Sequence, residues 1–439
     1  MIEKFFVKKL FGIFDNEIEF KQGGITVIIG QNGCGKTTML QMLSAIFSKT
    51  HSELFKYEFE YIELSISGHV LKIELLNEYS QKKESQVKSL KYYLDSNPFP
   101  KCYKENIKMN SPFFWSKFIP SLRPRLGNQF YNIENDEVLT LSEVINLYYD
   151  DLPEEIRNQM IAIPNEVYNL ISNFQIELIT TERLKKIYND EDFRRIGFVE
   201  KFMVEECSEE LKNSLKNILS RYANTSQKLD EQFPSKILEA IKKQNNYSET
   251  ELKENIQKIN ELRKKHVKAG VLEENNNKIL DIDVDSENID ENMLVILTVY
   301  YQDMKLKLES LNDISDKIVL FKSIIANKFN LSKEISIDRD NGIIITQKPT
   351  NKKVSLKFLS SGEQQELVLL YNLIFKGDKG KLILIDEPEI SLNVNWQREF
   401  LNDMKKIVNI NDLSILVATH SPQIINDNWD LVETLGEFE

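Results

Sequence analysis

The sequence of 439 residues predicts an α/β fold whose central unit is split by a long helical insertion. Three continuous apolar runs of strand length, at 25–29, 382–385 and 414–418, predict buried parallel strands. Between the first run and the second, residues 196–330 are rich in Lys, Glu, Asn, Leu and Ile, with apolar residues at helical spacing. Because the strands of one buried sheet must meet in space, we expect both ends of the chain to form one unit, the predicted head, with the helices inserted as an arm.

The first buried strand leads into a glycine-rich loop. Residues 30–38 read Gly-Gln-Asn-Gly-Cys-Gly-Lys-Thr-Thr and match the phosphate-binding pattern G-x-x-x-x-G-K-[ST]. A predicted helix follows, so unpaired backbone N–H groups and the helix dipole favour a bound anion there. We expect Lys36 to reach the β- and γ-phosphates of ATP, and the Thr37 hydroxyl to bind Mg²⁺. The alternative is a chance glycine-rich turn. The candidate binding residues are Gly30, Asn32, Gly33, Gly35, Lys36, Thr37 and Thr38.

Short strands are predicted on both sides of this loop. Residues 2–9 and 16–20 predict an antiparallel pair, and residues 57–66 and 69–76 predict a hairpin that turns at Gly68.

The middle of the chain gives mixed signals. A strand is predicted at 175–179 and a hairpin at 333–347, whereas residues 77–170 are interpreted as irregular and partly helical. In the arm, Pro234 and Gly270 are expected to interrupt the helices, which should fold back on one another because no heptad repeat is sustained. The predicted division is an N-terminal lobe of the head at 1–76, a mixed insertion at 77–170, a head strand and the region after it at 171–195, the helical arm at 196–330, and a C-terminal lobe of the head at 331–439.

Composition excludes several classes of protein. A net charge of −12 argues against a broad, sequence-independent grip on nucleic acid, although a local basic patch stays open. The three cysteines and four histidines have no spacing typical of a disulfide framework or a zinc site. No apolar run has the length of a transmembrane helix, and the N-terminus lacks a signal-peptide pattern. We therefore expect a cytoplasmic protein with no membrane partner.

Two acidic residues end the second buried strand. Burying Asp386 and Glu387 there is costly unless they bind a cation or water. In phosphoryl transfer, Asp386 would hold Mg²⁺ and Glu387 would polarise the attacking water. The alternative is an acidic cap on the segment that follows the strand.

A serine-rich turn precedes a predicted helix near residue 360. Ser360, Ser361 and Gly362 form a second candidate anion site, because hydroxyls and N–H groups meet at the helix start. Since the glycine-rich loop already surrounds its own phosphate, we infer that this turn serves the nucleotide of a second copy. Ser360 and Glu363 also fit a helix capping box, and both interpretations can hold together.

These motifs together resemble the ABC-type ATPase heads of the SMC, Rad50 and OLD families. The resemblance rests on the glycine-rich loop, Leu359–Glu363, Leu382–Pro388 and a strand leading to His420. It implies that two subunits enclose two ATP molecules, each between one loop and the opposite serine-rich turn.

The resemblance also implies roles for single residues. His420 would contact the γ-phosphate, with a satisfied histidine at a strand end as the alternative. Glu182 lies where a glutamine normally contacts Mg²⁺, and Arg183 is a candidate phosphate contact. Residues 391–396 resemble the D-loop that crosses the dimer. Phe11 and Phe14 are candidates either for packing on adenine or for filling the core.

A narrower resemblance is to the bacterial AAA-15/AAA-21 ATPases of anti-phage defence operons. It rests on residues 359–365, 386–392, 396–397 and 418–425. Within that group the sequence is most similar to the AriA-type ATPases of PARIS systems, with the PtuA-type ATPases of Septu systems second. This implies an ATP-dependent homo-oligomer, a toxin-antitoxin-like hold on an effector encoded nearby, and a phage protein as trigger.

The effector implied by PARIS is a Toprim-type nuclease. The chain after His420 is too short for a Toprim domain, so nuclease chemistry is expected on another polypeptide. Two other functions stay open: a Rad50/SMC-like DNA-repair ATPase, and an interaction module that binds ATP with little turnover.

Overall fold

The computed structural model of the chain describes most of the sequence. The described residues are 2–80, 85–104, 112–125, 129–134, 137–140, 144, 147–148, 151–153, 163–180, 185–189, 198–242, 248–273, 290–329, 332–390 and 392–436. Within these ranges, none of the helices is both long and apolar enough to cross a membrane.

The chain divides into two compact units. The head unit combines Met1–Phe202 with Lys376–Glu439, and the arm unit is Met203–Phe375. The five segments predicted from sequence are finer than these two units, and their boundaries stay a prediction.

The secondary structure alternates between the two units as follows. The strands are β1 (Ile2–Leu10), β2 (Phe14–Glu19), β3 (Ile25–Gly30), β4 (Tyr61–Ile66), β5 (His69–Ser80), β6 (Ser85–Leu94), β7 (Asn97–Lys104), β8 (Leu122–Pro124), β9 (Gln129–Asn132), β10 (Glu137–Thr140), β11 (Ile176–Ile179), β12 (Lys185–Asn189), β13 (Phe198–Phe202), β14 (Lys333–Asp338), β15 (Gly342–Gln347), β16 (Lys352–Val354), β17 (Leu382–Asp386), β18 (Ser414–Ala418) and β19 (Val432–Leu435). The α-helices are α1 (Lys36–Phe47), α2 (Pro112–Phe118), α3 (Asn165–Ser172), α4 (Met203–Lys242), α5 (Glu249–Ala269), α6 (Glu291–Glu309), α7 (Asn312–Phe329), α8 (Ser361–Phe375), α9 (Val394–Asn411) and α10 (Pro422–Ile425). Short 3₁₀ helices lie at His51–Lys56, Leu356–Phe358 and Trp429–Leu431.

A parallel sheet from both ends of the chain forms the centre of the head unit. Its strand order is β11-β17-β18-β3-β19, and every neighbouring pair is parallel. The α/β fold split by an inserted helical region is therefore confirmed. In the register, Asp386 is opposite Ala418, and Ala418 is opposite Ile28. The carboxyl ends of β17, β18 and β3 thus meet at one edge, where ligands bind in open α/β sheets.

An antiparallel sheet shares a core with helix α1. Its order is β2-β1-β4-β5-β6-β7, which confirms the predicted pair and the predicted hairpin at the N-terminus. The core between the sheets contains Phe5, Leu64, Ile73 and Met39, all fully buried. Apolar residues alternate along β4 between this core and the other face, as half-buried strands require.

The interpretation of residues 77–170 as irregular and partly helical is wrong for its first third. Strand β5 continues to Ser80, and β6 and β7 extend the sheet by two more strands. Pro98 and Pro100 gave this segment the character of a loop, but β7 is the edge strand, where proline is tolerated. Strands β8, β9 and β10 form a separate small sheet, and Trp115 of α2 is fully buried in its core.

Four helices and a hairpin sheet make up most of the arm unit. Helix α4 packs on α6, and α5 packs on both α6 and α7, so the helices fold back as expected. Gly270 ends α5 in the left-handed conformation, with φ 86°. The predicted break at Pro234 is wrong, because α4 runs through this residue.

Tertiary ion pairs explain why α4 continues past its proline. Lys307 of α6 bonds to Asp230 at 2.6 Å, and Lys236 bonds to Asp303 of α6 at 2.6 Å. These contacts lie on both sides of Pro234 and attach both halves of the helix to the same neighbour. Proline removes one backbone hydrogen bond, and packing on α6 compensates for that loss.

Candidate functional site

The glycine-rich loop joins β3 to α1 at the carboxyl edge of the parallel sheet. Gly35 has φ 100°, and a Cβ atom there would lie 2.5 Å from the Leu10 side chain. A Cβ atom on Gly30 would lie 2.6 Å from the Leu435 carbonyl oxygen. Both positions therefore exclude a larger residue, one through conformation and contact and the other through contact alone.

A buried asparagine fixes the position of this loop. The Asn16 side chain donates to the Cys34 carbonyl at 2.7 Å and accepts from the backbone N–H of Gly436 at 3.0 Å. It thereby ties the loop to the segment that follows β19. The sequence gave no sign of this role, because Asn16 lies within a strand far from the loop in sequence.

The start of helix α1 is arranged to receive an anion. Its N-terminal capping position is Gly35, and no side chain among the described residues caps it. The first-turn N–H groups are consequently left to other partners. Lys36 is buried, and its ammonium donates to the carbonyls of Gly30 at 2.8 Å and Gln31 at 3.2 Å. This places a positive charge against the loop itself, beside the exposed Asn32 and Gly33.

Thr37 and Asp386 meet at this edge although 349 residues separate them. The Thr37 hydroxyl lies 3.0 Å from both carboxylate oxygens of Asp386, whose exposure is only 8%. Hydroxyl and carboxylate oxygens are the hard ligands that Mg²⁺ prefers. The donor set therefore fits a magnesium ion that also contacts a phosphate on the loop.

Glu387 adopts a backbone conformation that is unusual for its residue type. Its φ is 43°, and its N–H donates to the Ala418 carbonyl at 2.8 Å. A non-glycine residue in this region is strained, and such strain is concentrated at functional sites. The side chain is partly exposed and lies beside His420, with its Oε1 3.5 Å from Nδ1 of the ring.

His420 and Glu389 form a closer pair at the end of β18. The Glu389 Oε1 atom lies 3.1 Å from Nδ1 of His420. The same oxygen accepts the His420 backbone N–H at 3.0 Å and the Thr419 hydroxyl at 2.7 Å. Sequence analysis quoted Glu389 within a motif but gave it no role. The available signal was a third acidic residue shortly after a buried strand.

The serine-rich turn lies in the arm unit and forms the capping box. Glu363 N–H donates to the Ser360 hydroxyl at 3.3 Å, and the Glu363 carboxylate accepts the Ser360 N–H at 2.8 Å. Lys333 also donates to Glu363, at 2.6 and 2.7 Å. Ser360 and Ser361 are exposed. The capping alternative is therefore realised, and the anion-binding role of Ser360, Ser361 and Gly362 stays a prediction.

Other predicted residues are placed only in part. Glu182 and Arg183 lie outside the described residues, as does Ser391 in the D-loop-like segment. Asn393 caps α9 by accepting the Trp396 N–H at 3.0 Å. Phe14 packs against the core, whereas Phe11 is 41% exposed and does not fill it.

Comparison with known proteins gave one family match and several structural similarities. The AAA_15 family model, described as an AAA ATPase domain, matches residues 1–425. No curated protein sequence gave a significant match.

Two of the similar solved structures are SMC heads. One is the Smc head domain with an extended coiled coil bound to the C-terminal domain of ScpA, from Pyrococcus furiosus; the identity is 13%, the coverage 97% of this chain and 90% of that chain, and the TM-score 0.35. The other is the SMC head domain from Thermotoga maritima, with 12% identity, coverage of 99% and 94%, and a TM-score of 0.33.

Proposed function

The chain belongs to the AAA_15 family of AAA ATPase domains, and from this premise we propose that it binds ATP with Mg²⁺ and hydrolyses it at the carboxyl edge of the head's parallel sheet. The observation that carries the proposal is the contact between Thr37 and Asp386 beside the glycine-rich loop. The two residues are remote in sequence and are the oxygen ligands that a nucleotide-bound Mg²⁺ requires.

Each residue at this edge has a proposed task. The loop N–H groups and Lys36 bind the phosphates, with Thr38 and Asn32 beside them. Thr37 and Asp386 hold Mg²⁺, which neutralises charge on the phosphates when bound. Glu387 accepts a proton from the attacking water, and His420 contacts the γ-phosphate. Glu182 and Arg183, after β11, are proposed as further contacts to the metal and the phosphate.

Turnover of a Glu387 variant tests this assignment. We expect Glu387→Gln to lower kcat by about 10²–10⁴-fold with little change in ATP binding, because the amide cannot accept the proton. The matched control is Glu399→Gln, since Glu399 is exposed on α9 and away from the loop. Steady-state phosphate release measures both variants. Equal rates for wild type and Glu387→Gln would remove Glu387 from the mechanism and would favour an ATP-binding module with little turnover.

We further propose that two copies enclose each ATP, the loop of one facing Ser360, Ser361 and Gly362 of the other. The turn supports this because its hydroxyls are exposed at a helix N-terminus. Light scattering on Glu387→Gln should detect a dimer with ATP and less of it with ADP. A monomer under both conditions would contradict the proposal. Higher homo-oligomers built from such dimers are part of the same proposal.

The finer biological role that we propose is in anti-phage defence. The chain would act as a sensor-scaffold that holds an effector encoded nearby, of the Toprim nuclease type, and releases it when a phage protein triggers the system. The support is the motif resemblance to PARIS ATPases. Copurification with the product of the neighbouring gene, with and without ATP, tests it. A lack of copurification together with ATP-dependent DNA binding at physiological salt would favour the Rad50/SMC-like alternative.

A further inference from the structure

The carboxylate of Glu389 makes three contacts with two consecutive residues. Its Oε1 accepts from the Thr419 hydroxyl at 2.7 Å and from the His420 backbone N–H at 3.0 Å, and it lies 3.1 Å from Nδ1 of His420. One oxygen therefore holds both the backbone and the ring of His420. Thr419 is fully buried, and its Oγ1 in turn accepts the Ser421 N–H at 3.0 Å. The turn after β18 is thus organised around this carboxylate.

Burying this carboxylate is costly. Glu389 is 7% exposed, and within the described residues its Oε2 is buried without a hydrogen-bond partner. A buried, incompletely paired carboxylate destabilises a fold far more than a neutral group of the same shape. Holding the Thr419 hydroxyl and a backbone N–H requires only a neutral acceptor. The contact that benefits from an ionised acceptor is the one to the imidazole ring.

The two acidic residues beside the ring are not equivalent. The distance from Nδ1 to Glu389 is within the normal range for an N–H···O bond, whereas the 3.5 Å to Glu387 is beyond it. A carboxylate can only accept, so the ring nitrogen that bonds to Glu389 carries the hydrogen. Glu387 is then left to face water, and the two carboxylates have separate tasks.

We propose that Glu389 is a positioning residue for His420: its carboxylate accepts Nδ1–H, fixes the tautomer and the direction of the ring, and thereby presents Nε2 to the nucleotide. The last step rests on the proposed function, whereas the state of the ring does not. A neutral histidine whose Nδ1 is engaged in this way keeps a single orientation, which is what a contact to a reacting phosphate requires.

The ring state can be measured without nucleotide. We expect long-range ¹H–¹⁵N spectra of the full chain labelled with ¹⁵N-histidine to show a protonated Nδ1 for His420, assigned by its loss in His420→Asn. Glu389→Leu removes both oxygens and should move the signals toward those of free histidine. Two matched controls, Glu387→Gln and Thr419→Val, should leave the ring signals in place. An unprotonated Nδ1 in wild type, or a change in Glu387→Gln with none in Glu389→Leu, would overturn the proposal.

A kinetic cycle tests the same proposal with an isosteric variant that should fold even if Glu389→Leu does not. Glu389→Gln weakens the bond to the ring and should lower kcat by about 10–100-fold, as loss of an orienting partner does elsewhere, with KM changed less than kcat. In a His420→Asn background the same substitution should have no further effect. An equal loss in both backgrounds would mean that Glu389 acts on the fold and not through His420. If wild type itself lacks turnover, the proposed function fails, and the ring spectra still decide the role of Glu389.

Discussion

Single residues remote in sequence hold the candidate site together. Asn16 ties the glycine-rich loop to Gly436, and Glu389 binds both the backbone and the ring of His420. Neither role could be predicted, because each depends on a partner that only the folded chain brings near. By contrast, Lys36, Thr37 and Asp386 were found from sequence, since each follows a buried strand at the spacing that its chemistry requires.

His51 gives the head a specific dependence on pH. It is fully buried, with Nδ1 2.6 Å from the Tyr92 hydroxyl and Nε2 2.9 Å from the Ile46 carbonyl oxygen. Burial lowers its pKa from 6.5 to about 4, although the bond to the Ile46 carbonyl opposes this shift. Between these two values the unfolded chain binds a proton that the folded chain does not. Folding stability should therefore fall as pH drops from about 6.5 to about 4, by about 3 kcal/mol in total.

Urea unfolding of wild type and His51→Gln at several pH values measures this effect. The variant should be less stable at pH 7, because its bonds to Tyr92 and Ile46 are altered, but it should lose less stability on acidification through this window. The exposed His69, in an equivalent His69→Gln variant, is the control and should keep the wild-type slope. Parallel curves for wild type and His51→Gln would contradict the prediction.

At the scale of secondary-structure elements, long-range contacts decide where helices continue and where strands lie. Helix α4 passes through Pro234 because ion pairs to α6 flank it. Strands β6 and β7 extend a sheet although their sequence is rich in Ser, Lys and Pro. Both misinterpretations have the same cause, which is that a neighbouring element overrides the local preference of the segment.

A buried ion pair joins α7 to α8, the helix that the serine-rich turn begins. Lys328 and Glu366 bond directly, and their side chains are only 4% and 1% exposed. We expect Lys328→Met to destabilise the chain by about 3–5 kcal/mol, because it leaves Glu366 charged and buried. The double variant Lys328→Met/Glu366→Met should recover most of this loss, since it removes both charges.

Denaturant midpoints of these variants, read by circular dichroism, measure the prediction. The matched control is Lys305→Met, which breaks the exposed pair with Glu309 and should cost less than about 1 kcal/mol. A loss in Lys328→Met no greater than in Lys305→Met would show that the buried pair does not stabilise this junction.

At the scale of the whole molecule, the loop belongs to the head unit and the serine-rich turn to the arm unit. If two copies share each ATP, Lys36→Ala and Ser360→Asp damage different halves of the same composite site. Asp still caps the helix but places a negative charge where the γ-phosphate would bind. Each variant alone should be inactive. After subunit exchange, mixed dimers keep one intact site, so an equal mixture should regain about a quarter of wild-type turnover.

Phosphate release by the separate and mixed variants measures this outcome. Ser360→Asn provides the control for capping, because it retains a neutral capping side chain and should match Ser360→Asp in stability. A mixture as inactive as its components would mean that the turn and the loop act within one copy, and the proposed switch between copies would be abandoned.

The sequence by itself determined the α/β class, the parallel strands and the chemistry of the glycine-rich loop and the acidic strand end. These features depend on local requirements, such as positive φ at glycine, an open helix N-terminus and a continuous apolar run. The tertiary structure decided which distant groups complete them. Asn16 under the loop, Glu389 on His420, and the pairs that carry α4 past Pro234 are each set by packing between segments far apart in the chain, and no local pattern encodes such partners.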